Sequence, residues 1–250
     1  VFVIAHLSDP HLDGTEEARQ RLRRITSYLR EFQRPVDVVL VTGDLADHGT
    51  EYEEVAAELA VFGEVPVLVL PGNHDVSEPL RAGLSSYVDS PGDGHPVHQV
   101  RDVGGARFVL LDTTVPGEDH GLLSPESLDW LRGVLGEPVD GPLFIAFHQP
   151  PVSLHHPVMD QWLLREPNAF ADVLRDRPIT ALLAGHFHNG LATTFAGFPL
   201  LLAPGIRSTV PLPFEPAPAA GITDKAAPPG LALHVHADGS PLITKFLHLP

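Results

Sequence analysis

The chain contains no cysteine in its 250 residues, so neither a disulfide framework nor a thiolate-based metal or redox site can exist in it. Any metal must therefore sit on His, Asp, Glu or Asn. Positive charge is scarce: Lys and Arg number 16 against 32 Asp and Glu, a formal net charge of −16. An average surface of that sign repels polyanions, which argues against long nucleic acid and anionic membrane as partners. No apolar run approaches the roughly 18 residues of a spanning helix. The apolar start at 1–5 is also shorter than the roughly 7–15 residues of a secretory leader core. No membrane span is expected and a cytoplasmic setting is the default, although the missing initiator Met leaves room for a removed leader. What is present, 43% hydrophobic and 19% charged residues, suits one compact core and a single domain over 1–250. Self-association is compatible with it.

Apolar segments of strand length at 2–7, 36–41 and 65–70 alternate with helical-period segments at 16–32 and 51–62, a βαβαβ order. In the first helix Leu22, Ile25, Leu29 and Phe32 form one buried stripe, opposite Arg19, Arg23 and Arg30 on what reads as a solvated face. The grammar then changes. Segments 97–103 and 107–111 flank Gly104-Gly105, a two-residue hairpin signal, and 124–135 reads as a helix with Ser124 as N-cap and Pro125 at its first position. Strands are expected at 143–147, 179–184, 191–195 and 199–203, then at 231–237 and 242–247 around Asp238-Gly239. Parallel units followed by hairpins predict an α/β fold of two packed mixed β-sheets flanked by helices, with 231–250 a C-terminal hairpin at a sheet edge. Segment 204–230, rich in Pro, Ala and Gly, reads as a long loop of the kind that covers sites.

The chemically capable residues fall just after expected strands, where α/β sheets bind ligands. The first is followed by Ser8-Asp9-Pro10-His11, the second by Gly43-Asp44-Leu45-Ala46-Asp47-His48-Gly49, and the third by Gly72-Asn73-His74-Asp75. Two later strands run into His148-Gln149-Pro150-Pro151 and Gly185-His186-Phe187-His188. Each motif alone has an ordinary reading as a turn or cap. Five strand ends in series, each carrying a metal-capable side chain, point to one shared site.

As a set, Asp9-x-His11, Gly43-Asp44-x-x-Asp47-x-Gly49, Gly72-Asn73-His74-Asp75, His148 and Gly185-His186-x-His188 resemble the calcineurin-like metallophosphoesterases, most closely the class III cyclic nucleotide phosphodiesterases. The resemblance implies the four-layer sandwich of that family. It also implies one metal ion on Asp9, His11, Asp44 and His188 and a second on Asp44, Asn73, His148 and His186, with Asp44 bridging. Imidazole and carboxylate without thiolate suit Fe, Mn or Zn as the two divalent or mixed-valence ions. Two divalent ions, two carboxylates and a bridging hydroxide leave roughly one net positive charge, enough to draw in a phosphodiester monoanion past an acidic exterior. The expected reaction is hydrolysis of small phosphodiesters, cyclic nucleotides included, by a metal-bridging hydroxide attacking phosphorus in line. His74 is placed by the resemblance near the leaving oxygen, and Asp47 as the carboxylate that orients it. Asp47 also reads as an N-cap of the next helix, and Asp75 as a turn residue.

One departure bears on substrate. The phosphoprotein-phosphatase branch has an Arg after the Asp47 position, able to clamp a phosphate dianion, whereas this chain has His48. That favours diesters over monoesters, although Arg207 of the long loop could supply a substitute clamp; Asn73, His74 and Arg207 are the expected substrate contacts. The alternatives are a phosphomonoesterase or broad phosphoesterase and, from another class, a non-catalytic scaffold of the same fold. Among the remaining histidines, His234 and His236 share one strand face and imitate a metal pair but read as structural; His155-His156 is a candidate for the cleft wall. Trp162 with Leu163 and Leu164 reads either as helix packing or as a wall for a base or sugar. Substrate-facing loops are expected at 76–97, 112–123, 149–168 and 204–229.

Overall fold

The structure, a computed structural model, describes residues 1–89, 92, 94–218 and 221–250. Ser90, Pro91 and Asp93 of the expected 76–97 loop, and Ala219 and Ala220 of the 204–230 loop, lie outside the described residues. Strands β1 (Phe2–Leu7), β2 (Val38–Thr42) and β3 (Val67–Leu70) alternate with helices α1 (Glu16–Arg30) and α2 (Tyr52–Leu59). Then follow α3 (Ser77–Gly83), β4 (Gln99–Val103), β5 (Ala106–Leu110), α4 (Pro125–Val134), β6 (Leu143–Ala146), α5 (Pro167–Leu174) and β7 (Ile179–Ala184). The chain closes with β8 (Leu191–Phe195), β9 (Phe198–Leu202), β10 (Gly230–His236) and β11 (Ile243–His248).

Two mixed sheets result, one ordered β11-β10-β1-β2-β3 and the other β4-β5-β6-β7-β9-β8. In the first, β1, β2 and β3 are parallel and β10 returns antiparallel along β1; in the second, β5, β6, β7 and β9 are parallel with antiparallel strands at both edges. The C-terminal hairpin occupies a sheet edge, as the sequence predicts. Gly104 and Gly105 both have positive φ, as a tight two-residue turn between β4 and β5 requires.

Side-chain alternation along each strand sets the layers. Ile4, Val38, Leu40, Leu68 and Leu70 face Phe108, Leu110, Phe144, Ala146 and Leu183 between the sheets. Their neighbours Ala5, Val39, Val41 and Val69 point the other way, under Leu22, Ile25 and Leu29 of α1 and Val55 and Leu59 of α2. On the far side Ile145, Leu182 and Leu200 pack beneath Leu128 and Leu131 of α4 and Phe170, Val173 and Leu174 of α5. The order is thus helix, sheet, sheet, helix. Each of these Leu or Ile side chains contributes roughly 1.5–3 kcal/mol by burial, so Ile25→Ala would cost about 2–5 kcal/mol.

Helix α1 starts where Thr15 accepts a hydrogen bond from the Ala18 amide, with Glu16 and Glu17 in its first turn and Arg30 in its last. It ends two residues short of the expected Phe32, which still packs against the core. Arg23 and Arg30 lie on the exposed face as expected and Arg19 at its margin; Arg19 and Arg23 also bridge to Glu54 and Glu58 of α2, so the two helices are tied by charge as well. Ser124 caps α4 as predicted, accepting from the Ser127 amide. Helix α3 falls in a segment expected to be loop. Its Pro79 sits in the first turn, where no intrahelical amide donor is needed, so the residue that breaks the sequence pattern does not break the helix.

Candidate metal centre

The loops after β1, β2, β3, β6 and β7 converge at one end of the sandwich. The first two continue the parallel ladder past the strand ends: Asp9 donates its amide to the Gly43 carbonyl, His11 to that of Asp44, and Leu12 to that of Leu45. Asp75 clips the third loop to the second. Its buried carboxylate accepts from the amides of Leu45, Ala46 and Gly72 and from the Tyr52 hydroxyl. Burial, reinforced by the charge of Asp44, pushes its pKa up to about 6. This is the structural role its sequence position suggests. Among the described residues nine non-glycine residues have positive φ, and five of them are Asp9, His11, Asp44, His186 and His188. Such backbone is unfavourable for these side chains and persists where surrounding contacts impose it, commonly at functional sites.

The expected ligands meet in two groups that share one carboxylate. Ligand atoms of Asp9, His11, Asp44 and His188 lie within 4.8 Å of one another, and so do those of Asp44, His148 and His186. His11 Nε2 is 3.4 Å from Asp44 Oδ2, His148 Nε2 is 3.3 Å from the same oxygen, and His188 Nε2 is 3.4 Å from Asp9 Oδ1. The Asn73 amide oxygen stands 3.2 Å from His148 Nε2. All but Asn73, which is half-buried, are buried. Close approach here depends on Gly72, where an added Cβ would lie 2.2 Å from Asp44 Oδ1.

Proton positions explain why this cluster suits cations. His148 Nδ1 is 2.7 Å from the Thr42 carbonyl and His11 Nδ1 is 2.6 Å from Asp47 Oδ1, both partners that only accept. Each Nδ1 therefore carries hydrogen, so either ring, once it gives up a second proton, turns an Nε2 lone pair into the cluster. There His11 Nε2 faces His188 Nε2 at 3.2 Å, and His186 Nδ1 faces His148 Nε2 at 3.2 Å. His186 Nε2 is buried with no hydrogen-bond partner. Lone pairs converging on two buried carboxylates are balanced by a positive ion or by protons. Burial pulls the pKa of His148 down, but Asp44 and Asp9 override it and raise it to about 9; His11 is raised by the same competition. Burial leaves His186 and His188 lowered. Burial alone would raise Asp44, but His148 and His11 hold it well below the carboxylate range. Donors of imidazole, carboxylate and amide type fit Fe, Mn or Zn.

Asp47 does not cap α2, whose N-cap position is Glu51. Its Oδ1 lies 3.2 Å from His74 Nδ1 as well as against His11, so one carboxylate orients two rings. The Asp47 hydrogen bond pushes His74 up to about 9, and Asp47 itself is lowered, its burial outweighed by the hydrogen bonds from His11 and His74. The His74 side chain is 44% exposed at the mouth of the cluster. His48 points away to Glu51, 3.1 Å distant, and is not in the cavity wall.

The cluster floors a cavity of about 260 Å³. Met159, Trp162, Val210 and Ile222 give it an apolar wall, and Arg207 and Lys225 a cationic one. Trp162 thus lines the cavity while also packing on the core beside α5. Arg207 is buried with its guanidinium held by Glu17 at 2.9 Å and Asp13 at 3.3 Å. Its loop is anchored to β1 by the amides of Ile206 and Arg207, which donate to the carbonyls of Ser8 and Asp9. Met159, Ser208, Val210, Ile222 and Lys225 escaped the sequence reading; only the placing of loops 149–168 and 204–229 beside the site pointed towards them. His155 and His156 bond within their own turn and do not line the cavity. His234 pairs with His6 through a 3.0 Å contact and with Thr244 at 2.8 Å, and His6 reaches Thr42 at 2.9 Å: a buried structural chain rather than a metal pair.

The comparisons with known proteins agree with this geometry. A probable cyclic nucleotide phosphodiesterase of Rhodococcus erythropolis is 35% identical over 211 residues, which are 80% of this chain and 69% of that protein. The 3′,5′-cyclic adenosine monophosphate phosphodiesterase CpdA of Pseudomonas aeruginosa is 30% identical over 250 residues, 95% of this chain and 86% of that protein. A purple acid phosphatase from yellow lupin seeds shares the fold, with a TM-score of 0.69 at 14% identity over 99% of this chain and 51% of its own. The family model for calcineurin-like phosphoesterases matches residues 2–190, and the chain belongs to that family.

Proposed function

We propose that this protein hydrolyses small phosphodiesters, cyclic nucleotides among them, at a dinuclear metal centre. The observation that carries the reading is Asp44, a single buried carboxylate common to two ligand groups at the floor of the cavity. Asp9, His11, Asp44 and His188 would hold one ion; Asp44, Asn73, His148 and His186 would hold the other. Bound there, two ions supply Lewis acidity to the phosphoryl oxygens and lower the pKa of water. The chain's own residues do the rest. His74, protonated and steadied by Asp47, gives its proton to the departing oxygen as the ester bond to phosphorus breaks. Asp47 orients the rings of His11 and His74 together. Asn73 and His74 meet the substrate directly, with Arg207 a substrate-side cation held in place by Asp13 and Glu17. The apolar wall around Trp162 suits the face of a nucleobase, and the outward turn of His48 is consistent with diesters rather than monoesters. The reading keeps residues 1–250 as one domain, with self-association allowed and a cytoplasmic setting. No described helix is long and apolar enough to cross a membrane.

The test is initial rates of Mn-reconstituted protein on cyclic AMP, a linear diester and the matching monoester, with Asp44→Ala in parallel. Diester hydrolysis by wild type alone supports the reading. Monoester preference transfers the assignment to a phosphomonoesterase, and activity retained by metal-verified Asp44→Ala rejects the dinuclear mechanism.

A further inference from the structure

The 204–230 loop is seated on the turn after β7 that carries His186 and His188. Ser208 Oγ lies 2.8 Å from His188 Nδ1, and the Asn189 side-chain amide donates to the Val210 carbonyl at 2.6 Å. The loop reaches these contacts past Gly205, where an added Cβ would collide with the Ser208 carbonyl and lie 2.8 Å from His188 Cβ. Gly205 also forms a parallel bridge with Ser8, the residue before Asp9. Ser208 is only 2% exposed, so its hydroxyl, rather than bulk water, serves the His188 ring.

The same loop is latched to α1. Arg21 donates to the carbonyls of Ile206 at 2.8 Å, Lys225 at 3.3 Å and Ala227 at 2.6 Å, so one guanidinium holds both ends of the segment that contains Ser208. Within that segment the backbones of Thr209 and Asp224 exchange two hydrogen bonds. The other ligand rings are backed differently. His148 Nδ1 faces the Thr42 carbonyl at the end of β2, and His11 Nδ1 faces Asp47 in the turn that follows β2. Among the described residues, His188 is the ligand histidine that the long loop holds.

We infer that Ser208 is a positioning residue for His188, and that through it the long loop is a working part of one ion site, that of Asp9, His11, Asp44 and His188, and not of the other. The inference rests on the dinuclear reading above and adds to it a residue and an asymmetry between the two sites. An ion on His188 Nε2 leaves the ring's hydrogen on Nδ1, where Ser208 Oγ accepts it. That bond fixes the direction of the Nε2 lone pair and makes the ring a better donor to the ion. Without the hydroxyl, the N–H would face a methyl group. Arg21 acts one step further out, by keeping Ser208 in place.

Equilibrium dialysis of the Mn-loaded protein against falling Mn²⁺, with bound ions counted per chain, reads both affinities without turnover. Wild type should hold two ions. Ser208→Ala should weaken one of them by about 10- to 100-fold and leave the other within about twofold, and Ser208→Thr, which keeps a hydroxyl, should recover most of the loss. Arg21→Met, which removes the donors but keeps an aliphatic stem, should weaken the same ion. His188→Ala identifies that ion: added to it, Ser208→Ala should have no further effect, because its influence runs through the one ring. Wild-type affinities in Ser208→Ala overturn the inference. So does a loss shared equally by both ions, or one that persists in the His188→Ala background, since either marks a general loosening of the fold. Unchanged binding in Arg21→Met overturns the part given to the loop. Fewer than two ions in wild type would sink the dinuclear reading itself and the inference with it.

Discussion

Acid should destabilise this protein through a pair of histidines that take no part in the proposed chemistry. His6 and His234 are fully buried, joined by a 3.0 Å ring contact between β1 and β10. Burial pushes the His234 pKa down to about 3, and burial together with the charge His234 would carry lowers His6 well below its ordinary value. Both rings are therefore neutral in the native protein across the range where an unfolded histidine, with a pKa near ~6.5, takes up a proton. Because the unfolded state binds more protons, stability is complete above about pH 6.5 and is lost as pH falls towards about 3. From pH 7 to pH 5 His234 removes about 2 kcal/mol, and His6 adds to the loss in the same direction. Urea midpoints measured over that interval for wild type and His234→Gln isolate the effect, since every other titrating group is common to both. The variant should lose about 2 kcal/mol less than wild type between the two pH values, at unchanged m. Parallel curves would refute the reasoning, showing that the His234 ring is not held neutral by its surroundings.

Three further outcomes follow from the site. Asp47→Asn should lower kcat by about 10- to 100-fold, since the carboxylate orients both His11 and His74, and steady-state kinetics with metal content verified would check it. Gly72→Ala should impair metal binding while the circular dichroism spectrum stays native, because its Cβ would collide with Asp44 Oδ1 at 2.2 Å; normal metal stoichiometry would contradict this. Chelation should lower Tm, and adding metal back at a thousand times its Kd should restore about 4 kcal/mol of stability, read by calorimetry. An unchanged Tm would mean that no metal binds the folded state in preference to the unfolded one.

The alternation of apolar strands with amphipathic helices, the Gly104-Gly105 turn, the Ser124 cap and the metal-capable residues at five strand ends were all legible in the sequence. Each depends on neighbours within a few positions, or on a side chain whose chemistry has few other uses. Helix α3 was hidden because Pro79 and Gly83 interrupt its pattern and only Leu80 faces the core. The partners that fix the ligands were hidden for another reason. Thr42 acts on His148 through its backbone carbonyl, which carries no sequence signature, and Ser208 reaches His188 from the long loop twenty residues further on. The cavity wall was similarly opaque: Met159, Val210 and Ile222 are ordinary apolar residues until the 204–230 loop is folded back by Arg21, which donates to the carbonyls of Ile206, Lys225 and Ala227. The ion pairs that Arg19 and Arg23 make from their exposed face were hidden because Glu54 and Glu58 belong to a different helix.

The ligand groups draw on both halves of the sandwich: Asp9, His11 and Asp44 follow strands of one sheet, and His148, His186 and His188 follow strands of the other. Ions held there would fasten two separately hydrogen-bonded sheets to each other, and would close a loop running from Asp9 to His188. In a secreted domain that job commonly falls to a disulfide, whose effect grows with the length of chain it encloses. This chain has no cysteine to make one. Its metals would then act as removable rivets, and a cell's supply of metal would set how firmly the enzyme's two sheets are clasped as well as how fast it turns over.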